Sequence, residues 1–95
     1  MSERFHVYIL ASRYRGTLYV GVTNSLANRV EAHKAGYVPG FTKTYKVHRL
    51  VHVESFASIN DARARERTLK RWRRDWKIKL IETDNRNWDD LSDRI

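Results

Sequence analysis

Five side chains in this 95-residue chain have types and spacings that could act on a phosphate ester: Tyr8, Tyr19, Arg29, His33 and Glu66. Tyr8 and Tyr19 fall on two neighbouring strand-like segments, and with Ala11 set opposite Gly16 they become cross-strand neighbours on one face, beside Gly21. Two phenols over a glycine leave an open, hydroxyl-lined shelf; the ordinary alternative is two amphipathic tyrosines packed on a core edge. Arg29 and His33 are i,i+4 on one helix face. An arginine there suits bidentate phosphate contact, and a histidine can move a proton near neutral pH; otherwise they are a boundary arginine and a satisfied core histidine. Glu66 is a lone carboxylate in the most basic stretch. It is either a ligand for a hard divalent cation or half of an intrahelical ion pair with Arg63, Lys70 or Arg73. A phenol, a fixed cation, a proton carrier and a carboxylate together suit phosphoryl transfer. His48 and His52 are same-face neighbours on a strand, and without cysteine they do not make a zinc site.

The elements that must position these groups follow from the pattern. Phe5 to Ala11 is rich in β-branched and aromatic residues and predicts a largely buried strand. A turn from Ser12 to Gly16 and a second strand from Thr17 to Val22 complete an antiparallel hairpin. Asn24 and Ser25 are N-cap residues and Gly36 a stop, which predicts a helix over Leu26 to Ala35. Tyr37 to Tyr45 reads as a loop, holding the only proline, Pro39. Val47 to Phe56 predicts a third strand with Val47, Val51 and Val53 on one face. N-cap candidates from Ser58 to Asp61 start a helix with Ile59, Ala62, Leu69, Trp76 and Leu80 inward and Arg63, Arg67, Lys70, Arg71 and Arg74 outward. A break near Asp75 leads to a short helix ending about Glu82, and Trp88 and Leu91 pack back. The expected fold is α+β: one domain over 1–95, order ββαβα(α), with a small three-stranded antiparallel sheet flanked by helices.

Charge narrows the partner. The chain carries 19 Lys and Arg against 11 Asp and Glu, a formal charge of +8. From Arg63 to Lys79 nine basic residues face two acids, while from Glu82 onward five acids face two arginines. So the excess is a patch, interleaved with Trp72 and Trp76, and predicts a polyanionic partner: nucleic acid ahead of an acidic membrane surface. The basic helix lacks the broad apolar face that membrane insertion requires. Absence of Cys excludes disulfide scaffolds and thiol nucleophiles. No dinucleotide, Walker or zinc-protease motif occurs. Met1-Ser2-Glu3-Arg4 leads straight into a strand pattern, and a soluble cytoplasmic protein is expected.

These residues, in this order, resemble the GIY-YIG nuclease superfamily, and within it the small bacterial proteins similar to the N-terminal domain of the bacterial excinuclease. The GIY element stands as His6-Val7-Tyr8 and the YIG element as Tyr19-Val20-Gly21. Asn24-Ser25-Leu26, Arg29 and His33 match the following helix; Phe41-Thr42-Lys43-Thr44-Tyr45 and Leu50-Val51 match the loop and third strand. Ala64-Arg65-Glu66, Leu69-Lys70 and Trp72 match the glutamate-bearing helix. The resemblance implies an endonuclease that hydrolyses phosphodiester bonds, DNA ahead of RNA, in repair or processing, with one Mg²⁺ or Mn²⁺ held by Glu66. By position Tyr8 or His33 acts as or assists the general base, Arg29 stabilises the transition state and Tyr19 orients the phosphate or water. Gly21 keeps the surface open for the backbone, and Arg63, Arg67, Lys70, Arg71 and Arg74 bind substrate. The first glycine of the GIY element is His6 here. Where some family nucleases carry a further polar residue one helix on, this chain has Ile78. Substrate choice then comes from this module or from a protein partner. The alternative reading is a non-catalytic nucleic-acid-binding module on the same scaffold.

Overall fold

The computed structural model describes residues 4–38 and 40–95; the expectations for Met1 to Glu3 and for Pro39 lie outside the described residues. Strand β1 (Phe5–Ala11) is buried from Val7 through Ala11, which is why both of its faces are apolar. It is the centre of a three-stranded antiparallel sheet, flanked by β2 (Leu18–Thr23) and β3 (Arg49–Phe56) in the order β2-β1-β3. One face packs Val7, Ile9, Ala11 and Val51 against α3 (Ile59–Arg71), α4 (Arg74–Asp84) and Trp88. The other packs Tyr8, Leu10 and Leu50 against Leu26 and Val30 of α1 (Leu26–Ala35). Helices on both faces of one antiparallel sheet make the expected α+β fold.

Helix α1 starts and stops where its caps predict. Gly36 takes the left-handed conformation (φ 76°), and its N–H closes onto the last turn. Ser58 caps α3, its hydroxyl accepting from the Asp61 amide.

Several details differ from expectation. Ala11 pairs with Leu18, not Gly16, so Tyr8 lies opposite Gly21 and Tyr19 opposite Leu10: the two tyrosines are diagonal neighbours. The Tyr37 to Tyr45 segment contains a helical turn, α2 (Phe41–Thr44), whose buried residue is Thr42. In β3 the register slips between Ile9 and Leu10, because Ile9 pairs with His52 and Leu10 with Leu50. This bulge puts Val51 in the α3 core while Leu50 and Val53 belong to the α1 core, so the three valines do not share a face. Val47 is buried but precedes the strand.

The break between α3 and α4, expected near Asp75, falls at Trp72 and Arg73, both extended. Asp75 instead sits in the first turn of α4, where the helix dipole favours an acid. Finally, Trp76 is 47% exposed and not part of an inward stripe, since the reorientation at the break gives that role to Ile78, Leu80 and Ile81.

Trp88 and Leu91 do pack back. Trp88 is fully buried, and Leu91 packs on the α1 side of the sheet. Between them Asn85 organises the tail: its amide nitrogen donates to the Val51 and Asp89 carbonyls, and its side-chain oxygen accepts from the Asp89 amide.

Candidate active site

The site is built on Gly21. A Cβ there would sit 2.4 Å from the Tyr8 hydroxyl oxygen and 2.5 Å from Cζ, so only glycine lets the phenol cross strand β2. Tyr8 therefore fills the space over Gly21 and is 1% exposed. There is no open shelf; the glycine admits the phenol and is itself buried. Tyr19, half-buried, lies with its ring centroid 6.3 Å from that of Tyr8.

His33 closes the cluster from α1. Its ring is 6.0 Å from Tyr8 and 5.4 Å from Tyr19, centroid to centroid. Nε2 lies 3.3 Å from the Tyr8 hydroxyl and Nδ1 3.0 Å from the Thr42 hydroxyl. With Nδ1–H donating to Thr42, Nε2 is left to accept from the Tyr8 O–H, which satisfies the buried ring. Thr42 has no role that the sequence announces, because it lies in a segment whose composition reads as loop. The Phe41-Thr42-Lys43-Thr44-Tyr45 match points to the segment, but nothing local says that this threonine turns inward.

Burial and the nearby Arg29 guanidinium hold the His33 pKa below its ordinary 6.5, so the ring is neutral at pH 7. Burial raises the Tyr8 phenol well above its ordinary value; Tyr19 and the Glu66 carboxylate add to the shift and Arg29 opposes it. Arg29 and Glu66, from helices on opposite faces of the sheet, thus both act on one phenol. Arg29 is exposed and lines a groove with Arg63, Thr23 and Asn24, so two cations from different helices meet there.

Glu66 has a side chain only 18% exposed and pairs with Lys70 Nζ at 3.3 Å, the ion pair expected within the helix. Among the described residues no three His, Cys, Asp or Glu cluster to hold a metal ion. A divalent cation would therefore find one carboxylate from the protein, a hard oxygen donor that suits Mg²⁺ or Mn²⁺ with water and phosphate oxygens completing the shell. Ile78 packs against the core and offers no second ligand.

The remaining basic residues separate. Arg63, Arg67 and Arg71 are exposed at i, i+4 and i+8 along α3, while Lys70 is engaged by Glu66. Arg74 lies beyond the helix break and donates to the Arg15 carbonyl in the β1–β2 turn, away from the Arg29–Arg63 groove. His52 pairs with Glu54 at 2.8 Å rather than with His48, and Arg65 holds the same carboxylate with two hydrogen bonds of 2.8 and 3.0 Å.

Known proteins resemble the chain in sequence and fold. The GIY-YIG catalytic domain family matches residues 4–79. A UPF0213 protein of Staphylococcus haemolyticus is 35% identical over 83% of this chain and 95% of its own length. One from Oceanobacillus iheyensis is 34% identical over 86% of this chain and 94% of its own. The solution NMR structure of a UPF0213 protein from Bacillus halodurans superposes with a TM-score of 0.57, at 26% identity and 93% coverage of both chains. The family model covers most of the chain and its domains are of nuclease type, generally dependent on divalent metal: the chain belongs to the GIY-YIG family.

Proposed function

We propose that the chain is an endonuclease domain hydrolysing phosphodiester bonds in DNA, in repair or processing within the cytoplasm, with Glu66 holding one Mg²⁺ or Mn²⁺. The observation that carries this reading is the buried Thr42–His33–Tyr8 chain of hydrogen bonds lying between the influence of Arg29 and Glu66. A phenol whose pKa is raised by burial does not ionise in advance at neutral pH. Tyr8 therefore takes a proton from the attacking water only as it passes its own to His33 Nε2, which is neutral and oriented by Thr42. The water oxygen bonds to phosphorus, the ester oxygen leaves, and solvent returns a proton to the leaving group. Tyr19 orients the phosphate or the water beside the Tyr8 ring, and Arg29 stabilises the charge that grows on the phosphoryl oxygens. A divalent cation supplies, when bound, further positive charge at the phosphate.

Incubation with supercoiled, branched and single-stranded DNA plus Mg²⁺ or Mn²⁺ tests this. Glu66→Ala should abolish nicking while the circular dichroism spectrum and melting stay native; nicking at the wild-type rate by that variant overturns the mechanism. The core-facing Ile78, in place of a second polar group, favours a second reading, a non-catalytic nucleic-acid-binding module. That reading expects salt-sensitive binding, unaffected by Glu66→Ala, with no cleavage product from the wild type.

A further inference from the structure

The break that ends α3 leaves two indoles together, Trp72 partly buried against the core and Trp76 exposed. Trp72 and Trp76 meet edge to face, with centroids 5.9 Å apart at 87°. Each is held by an arginine: the Arg65 guanidinium lies 5.2 Å from the Trp72 ring centre and Arg73 4.9 Å from that of Trp76. Arg65 is itself fixed by Glu54, so the Trp72 ring is clamped rather than mobile. The two indoles, with Leu80, Lys79 and Thr83, line an open groove that is mainly apolar. Neither ring belongs to the Tyr8–His33 cluster, and Trp76 is 47% exposed in the most basic stretch of the chain.

An exposed apolar groove calls for an occupant, and charge selects one. Lys79 lines it and Arg73 sits over Trp76, while the exposed row Arg63, Arg67 and Arg71 along α3 ends one residue before Trp72. At 1.5 Å per residue that row runs about 12 Å from the Arg29–Arg63 groove to the helix end beside Trp72. A track of cations beside an exposed aromatic ring is the arrangement that holds a single strand: phosphates follow the charge and a base stacks on the ring, here that of Trp76. A duplex keeps its bases paired inside and cannot use the indoles.

We propose that the Trp72–Trp76 groove is a stacking site for an unpaired base of single-stranded nucleic acid whose phosphates run along Arg63, Arg67 and Arg71. This rests on the reading that the chain acts on nucleic acid, and does not require that it cut.

The test is fluorescence anisotropy in EDTA, with a labelled oligothymidylate about twelve nucleotides long and a duplex of equal length. Trp76→Ala should weaken single-strand binding about ten-fold or more and duplex binding less than about two-fold, and Trp76→Phe should recover most of the loss. Trp76 is half in water, so both variants should melt with the wild type. Single-strand binding by Trp76→Ala equal to wild type overturns the proposal and leaves the groove to a protein partner. Equal losses on single strand and duplex overturn it as well, as does a Phe variant no better than Ala. If wild-type protein binds neither probe in a salt-sensitive way, the nucleic-acid reading itself fails, an outcome distinct from the first three.

Discussion

At Tyr8, burial and proton transfer pull in opposite directions. Removing the phenol from water makes its ionisation harder, yet the proposed chemistry needs its proton to leave. His33 resolves the conflict because it is 3.3 Å away and uncharged. The sign of the pH dependence follows. His33 has its pKa lowered by burial first and by Arg29 second, so protonation disables it only below 6.5. Single-turnover cleavage should rise with pH, reach its plateau with a midpoint below 6.5, and lose this acid limb in His33→Ala. That variant should be slower by about 10²–10⁴-fold, the range for a general base. An acid limb that survives in His33→Ala would assign it to another group. Much of this cluster is legible in the sequence, since Tyr8, Tyr19, Gly21, Arg29 and His33 come together as their motif order implies. The geometry above Gly21 is not: register sets whether a phenol covers the glycine or stands beside it, and the hairpin closes at Leu18 rather than Gly16.

Among the elements, α1 and β1 are readable to the residue because local signals mark them: a serine before the first turn and a left-handed glycine after the last for one, a doubly apolar run for the other. Strand β3 is different. Its bulge depends on what the two helical layers require at Leu50 and Val51, and alternation within the strand carries no trace of that. Helix α2 is too short for periodicity to announce it, and Thr42 stays hidden with it. The break before α4 is hard to place because Asp75, an acid that suggests a stop, marks a start.

Strand β3 also carries the prediction that belongs to this scale. Glu54 accepts from His52 first and from Arg65 second, and together they outweigh burial to hold its carboxyl at about 2 against an ordinary 4.5. A depressed folded pKa gives stability that is complete above about 4.5 and lost as pH falls toward about 2. Acid titration of the melting temperature should show that loss, and Glu54→Gln should flatten it. At pH 7 the variant should be less stable by about 1.5–3 kcal/mol, typical of hydrogen bonds to a charged group. An unchanged acid profile in Glu54→Gln would show that the clamp joining α3 to the sheet has no role in folding.

For the molecule as a whole, the segment after α4 matters more than its position suggests. The family match ends at residue 79, yet Trp88 is the largest fully buried side chain. It takes a left-handed backbone conformation (φ 59°), and its indole N–H donates to Glu82 at 2.7 Å. The same carboxylate is bound by Arg15 of the β1–β2 turn, so one glutamate joins turn, helix and tail. Trp88→Ala should cost about 3–5 kcal/mol in urea unfolding, as large aromatic deletions from a core do. A loss below about 1 kcal/mol would mean that the core closes without it. Charge at this scale is divided: the basic face of α3 lies on one side of the sheet, while Lys34 of α1 pairs with Asp90 of the tail. The described residues include no helix long and apolar enough to cross a membrane.

The tail has one more consequence, which concerns how copies of the chain treat each other. As an edge strand, β3 would present free backbone groups to any neighbouring strand, but at its bulge the tail occupies them. Asn85 takes the Val51 carbonyl, Asp90 accepts from the Leu50 amide at 3.4 Å, and Arg49 reaches the Trp88 carbonyl. With Trp88 anchored on one face of the sheet and Leu91 on the other, the chain wraps its own edge. The last residues thus act as a guard against strand-to-strand self-association, leaving β2 as the edge beside the candidate site.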